Sequence, residues 1–157
     1  MTASSNASSS ASSTEPPHAR LIDRSALDAF VQRVQKRIGL QGQVNILLAD
    51  DATLKQLNRE FRGKNQSTDV LSFPAIQIAG APQAQAGDLA VSLDTAARQA
   101  SEHRHSLQTE VKILLLHGLL HLAGFDHETD SGEMRERETE LRTRFRLPCS
   151  LIMRSEN

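Results

Sequence analysis

His117-Gly118-Leu119-Leu120-His121-Leu122-Ala123-Gly124-Phe125-Asp126-His127 holds three of the six histidines in this 157-residue chain. Residues four apart lie on one face of a helix, about a turn from each other, so His117 and His121 can reach a single ion. Gly124 takes positive φ at little cost, which lets the chain reverse after the helix and bring His127 to the same point. Three imidazole nitrogens leave the fourth tetrahedral position open, the arrangement of a catalytic rather than a structural zinc. A lone histidine in an apolar helix is usually a core or half-exposed residue, and an i, i+4 pair arises often by chance. Three at these offsets around a glycine turn are much harder to dismiss. The expectation is one Zn2+ per chain, held by His117, His121 and His127. Of the others, His18 reads as tail, and His103 and His105 as solvated helix surface.

Working outward, Leu107 to Ala123 reads as the helix that carries the first two histidines, with Gly124 at its left-handed end. Before it, the pattern turns helical from Asp94, and Thr95 to His105 reads as one helix. After it, Asp130 and Glu133 resemble a capping box that opens a last, charged helix through Phe145. Nearer the start, Ser25 can cap a helix with Leu27, Phe30, Val31, Val34 and Ile38 at helical spacing, stopped by Gly39. Val44 to Leu48 reads as a strand, and Asp51 as the cap of a helix with Leu54, Leu57 and Phe61 on one face. Val70 to Phe73 reads as a strand closed by Pro74, and Ala79 to Gly87 as a loop. Leu89, Val91 and Leu93 alternate with small or polar neighbours, as in a half-exposed strand. Helices mixed with strands at this length predict one α+β domain, a small mixed β-sheet flanked by helices.

Composition narrows the function. Lys and Arg number 18 against 19 Asp and Glu, a net charge of −1, so nothing draws the whole molecule toward nucleic acid or anionic lipid. Any nucleic-acid role must rest on a local basic patch. A single cysteine, Cys149, excludes an intramolecular disulfide and reads as a small apolar residue. No apolar run approaches the roughly 20 residues of a membrane-spanning helix. Seven of the first fourteen residues are serine, with no apolar stretch of a secretory signal and no arginine before Arg20. Residues 1–19 therefore read as a disordered tail and 20–157 as the domain.

The histidine spacing matches the metzincin pattern H-E-x-x-H-x-x-G-x-x-H at each histidine and at the glycine. The general-base glutamate of those peptidases is Gly118 here, so the ligand geometry survives and the peptidase mechanism does not. Gly118 reads as permitting close packing or substrate approach, helix packing alone being at least as good an account. A second segment, Arg59-Glu60-Phe61-Arg62-Gly63-Lys64, gathers positive charge. An arginine fork suits phosphate oxygens and the charge that develops on them. Basic side chains at a helix end also complement its dipole. That second reading suits Arg59 and Lys64; for Arg62 the passage alone leaves both open.

Together these stretches resemble the YbeY family of bacterial rRNA maturation endoribonucleases. The resemblance rests on Phe61-Arg62-Gly63-Lys64, Thr68-Asp69-Val70-Leu71-Ser72-Phe73-Pro74, Gly87-Asp88-Leu89-Ala90-Val91-Ser92 and His117 through His127. The last meets each fixed position of H-G-x-L-H-L-x-G-[YF]-D-H. The resemblance implies a zincin-like fold, zinc at His117, His121 and His127, and a functional Arg62. It also implies single-stranded RNA as substrate, with a role in rRNA maturation at the 16S 3′ end and in ribosome quality control. The implied partners are rRNA, the small ribosomal subunit and its associated proteins; the implied location is cytoplasmic, with no membrane. The Ser-rich tail has no counterpart in the family pattern, and residues after Asp130 match only loosely. The expected mechanism has zinc acidifying a water while Arg62 stabilises charge on the scissile phosphate. Asp126 reads either as orienting a ligand or relaying a proton, or as shaping the turn, and Asp88 as a candidate for orienting groups near the site. The rival readings are a metallopeptidase, disfavoured by Gly118, and a non-catalytic zinc-containing ribosome assembly or binding factor.

Overall fold

The run Val111 to Leu122 has no polar face wide enough to meet water, and the structure, a computed structural model describing residues 16–76 and 84–148, buries it. This helix, α4 (Leu107–Leu122), is the axis of the fold. Around it lie α1 (Arg24–Ile38), α2 (Asp51–Arg62), α3 (Leu93–His103) and α5 (Glu133–Arg144), with a 3-10 turn at Ala19–Leu21. The strands are β1 (Gln43–Ala49), β2 (Val70–Pro74) and β3 (Gln85–Ser92), in the sheet order β1-β3-β2. β3 runs parallel to β1 and antiparallel to β2, so the sheet is mixed, as expected.

One core joins Leu27, Phe30 and Val34 of α1, Leu89 and Val91 of β3, and Ile113 to Leu116, Leu119 and Leu120 of α4. A smaller cluster on the other face of the sheet packs Leu54 of α2 on Leu71, Ala90 and Ala49, with Leu57 and Phe73 against it. β3 is therefore covered on both faces. That corrects the half-exposed reading of Leu89 to Leu93: Ala90 and Ser92 are buried as well, and Leu93 already belongs to α3. Period-two alternation carries no information when helices cover both sides. Residues 85–87, expected as loop, open this strand; positions 79–83 of that loop lie outside the described residues, as do Cys149 and positions 1–15 of the expected tail.

Helix starts also differ in detail. Asp23, not Ser25, caps α1 by accepting from the Ala26 amide, and Gly39 ends that helix at φ 72°. Asp50, not Asp51, caps α2 through the Thr53 amide. Asp51 sits one position inside, where its carboxylate takes Ser92 Oγ at 2.5 Å, Thr95 Oγ1 at 2.6 Å and Arg98 Nη2 at 3.1 Å. It ties the start of α2 to the end of β3 and the first turn of α3. At α5, Asp130 receives the Gly132 and Met134 amides, while Glu133 reaches back to the Ser131 amide rather than to Asp130.

Candidate metal centre

α4 places His117 and His121 one turn apart near its C-terminal end, and Gly124, at φ 99°, turns the chain so that His127 returns to them. Potential ligand atoms of all three lie within 4.8 Å of one another. The Nε2 atoms of His117 and His121 are 3.2 Å apart. Two nitrogens at about 2.0–2.1 Å from one tetrahedral zinc would be about 3.3 Å apart, so this pair fits.

The far side of each ring on α4 is anchored. His117 Nδ1 donates to Glu138 Oε2 at 2.8 Å, and His121 Nδ1 donates to the Phe125 carbonyl at 2.9 Å. These bonds put the proton on Nδ1 and turn both Nε2 lone pairs toward the shared point, as metal-ligating histidines require. His127 Nδ1 is buried with no hydrogen-bond partner. Burial lowers the His121 pKa, and the neighbouring His117 lowers it further, which keeps the imidazole neutral. Convergent ring nitrogens suit a metal ion and would serve a structural hydrogen-bond network poorly.

Glu138 is the residue at this centre that sequence reasoning missed. It is fully buried on α5 between Met134 and Leu141. The signal was there: a glutamate at i+4 of an apolar stripe on a helix otherwise covered with charge. Gly118 is settled as a packing residue. A Cβ there would come within 2.8 Å of Leu89 Cδ2 and 3.1 Å of Ser72 Oγ, and Ser72 Oγ donates to its carbonyl at 3.2 Å.

The histidines open onto a cleft of about 520 Å³ whose opposite wall includes Asn58, Arg62, Lys64 and the backbone of β2. Arg62 is in the last turn of α2, which Gly63 closes at φ 69°. Its Nη2 donates to the Ser72 carbonyl at 2.6 Å. Lys64 lines the cleft too, so it is more than a solvated helix end, whereas Arg59 is exposed outside it. Buried Asn58 donates to the Gln66 carbonyl and pins the loop that carries Lys64.

The remaining candidates separate. Asp126 shapes the turn: its carboxylate takes the Glu128 amide and its carbonyl the Thr129 and Asp130 amides. Asp88 accepts from Asn45 on β1 and does not line the cleft. His103 is exposed, as expected. His105 is not: it lies past the end of α3, largely buried, with Nε2 2.6 Å from the buried Glu110 Oε1.

Fold and site together define an α+β protein with a zincin-like three-histidine centre at the end of a buried helix. The family described as Endoribonuclease YbeY matches residues 6–146. A relative from Koribacter versatilis, named Endoribonuclease YbeY, is 48% identical over 134 residues, 85% of each chain. One of the same name from Nautilia profundicola is 48% identical over 114 residues, 73% of this chain and 80% of its own. The solution structure of TM1509 from Thermotoga maritima superposes with a TM-score of 0.55 at 27% identity, covering 85% of this chain and 89% of that one. The chain belongs to the endoribonuclease YbeY family.

Proposed function

We propose that this protein is a zinc-dependent endoribonuclease that cuts unpaired RNA, with His117, His121 and His127 as the zinc ligands. The observation that carries the reading is the meeting of three imidazoles and one guanidinium on the walls of a single cleft. His117, His121 and His127 would hold the zinc, which would supply the Lewis acidity that makes water reactive near neutral pH. Glu138 holds His117 in the orientation a ligand needs. Arg62 spends one N–H on Ser72 and keeps others for a phosphate oxygen, where its charge stabilises the transition state. Lys64 adds a second cation to the same wall.

A peptidase is a poorer account. Gly118 offers no carboxylate, and Arg62 occupies a carbonyl of β2, which among the described residues pairs only with β3, where an extended peptide would pair. The family name supports RNA as substrate. We assign the working context to rRNA maturation at the 16S 3′ end and ribosome quality control, in the cytoplasm, with the small ribosomal subunit and its proteins as partners. No helix among the described residues is long and apolar enough to cross a membrane. Residues 20–157 would form the hydrolase domain and 1–19 a Ser-rich tail, whose last residue, Ala19, packs against the core.

Purified protein should carry about one zinc per chain. Chelation should abolish cleavage of an unpaired oligonucleotide and zinc should restore it, while a duplex resists. Cleavage that persists after the metal is removed would refute the reading. Zinc-loaded protein that binds RNA without cutting it would favour a binding factor.

A further inference from the structure

The apolar stripe of α2 runs past the edge of the core. Leu54 is buried and Leu57 half-buried, but Phe61 on the same stripe is 65% exposed. Its ring meets Phe73 edge-on, centroids 5.4 Å apart and planes at 67°. The Arg62 guanidinium lies 5.9 Å from the Phe73 centroid while it holds the Ser72 carbonyl and lines the cleft. The aromatic pair lies outside the lining of the histidine cleft, and Arg62 links the two. Exposed Arg59 and Lys64 add positive charge along the same helix end.

A residue that merely closed the sheet would bury its ring; this one leaves most of it in water, braced from behind by a second ring. Unpaired nucleic acid presents what such a surface lacks. Every base has a π-face for an aromatic ring, and every phosphate a charge for an arginine or lysine. In a duplex the base faces are already stacked. We propose that Phe61 is a base-stacking platform. A base of unpaired RNA lies on its exposed face, Phe73 fixes the ring, and the attached phosphate passes Arg62 into the cleft. The proposal rests on the nuclease reading and supplies a physical source for its preference for unpaired RNA.

The chain contains no tryptophan, so Phe61→Trp creates a single fluorophore at this position. Zinc-loaded Phe61→Trp protein is titrated with a short unpaired RNA oligonucleotide and with the same strand in a duplex. Tryptophan emission should be quenched saturably by the unpaired strand and little by the duplex. Phe61→Leu, which keeps apolar bulk and loses the π-face, should bind the strand about five- to a hundredfold more weakly, with unchanged zinc content and melting midpoint. Binding of the end-labelled strand without quenching would overturn the proposal. So would Phe61→Leu affinity within about twofold of wild type, since stacking is worth more than that. The two readings fail separately. Cleavage without quenching removes the platform alone, and quenching without metal-dependent cleavage removes the nuclease reading alone.

Discussion

The two walls of the cleft are built on opposite principles. The histidine wall is the drier one: His117 is 7% exposed with its partner Glu138 wholly inside, and His121 and His127 are half-buried. The arginine wall is a helix end, a polar loop and a strand, and its cations reach the cleft from exposed positions. Neutral ligands for a metal need dry surroundings and fixed tautomers, whereas cations that meet a phosphate must stay solvated until substrate arrives. Metal retention and substrate chemistry should therefore be separable by mutation. Ser72 is the joint between the walls, with its hydroxyl on Gly118 and its carbonyl on Arg62.

The largest effects belong to the histidine wall. Alanine at His117, His121 or His127 should each remove most of the zinc and lower cleavage by roughly a thousandfold or more, because the metal supplies several kcal/mol of transition-state stabilisation. His103→Ala should change neither. Metal analysis of the four variants checks this, and equal zinc in all would erase the contrast between buried and solvated histidines. Next is Glu138→Gln, which keeps the shape and weakens the anchor on His117. Zinc affinity by competition with a chelator should fall about ten- to a hundredfold while Arg62 is untouched.

Gly118→Ala comes third. Its methyl would meet Leu89 and Ser72 at once, so a loss of about 1–3 kcal/mol in denaturant unfolding is expected, with both walls disturbed together. The smallest effect is at Asp51, which anchors the arginine wall from the far end of α2. Burial raises its pKa, but hydrogen bonds from Ser92, Thr95 and Arg98 outweigh that and hold it below the ordinary range. A lowered pKa in the folded state adds stability above about pH 4 that is lost as pH falls through the lowered value. Asp51→Asn should cost on the order of 1–2 kcal/mol at pH 7, flatten the acid limb of the stability profile and leave zinc content normal. An unchanged acid limb would remove Asp51 from the account.

The same contrast explains what the sequence made legible. Ligand offsets and the glycine turn are local, so the triad could be read from His117 to His127. α1, β1 and β2 carry their own periodicity and turn residues, and their bounds fell within a residue or two. Glu138 could not be found that way, since it reaches His117 from 21 residues away. His105 looked solvated because it was read as the last residue of a helix; α3 ends at His103, and the ring turns to Glu110 across the Ser106 cap. The two-sided burial of β3 follows from strand order, which no local pattern encodes. In Asp50-Asp51 either carboxylate suits a cap, and backbone geometry alone decides that the first one takes it.

The central claim is that a metal centre and Arg62 act on one RNA phosphate, and single-turnover cleavage with zinc and RNA affinity measured on the same samples tests it most directly. A charge-assisted contact to phosphate is worth roughly 1.5–3 kcal/mol. Arg62→Ala should therefore lower the cleavage rate about ten- to a hundredfold, with zinc content unchanged and RNA binding far less affected. Arg62→Lys should recover only part of the rate, because an ammonium keeps the charge and loses the planar fork. If wild type and Arg62→Ala cleave the same RNA at the same rate, the cleft is not where the RNA is cut.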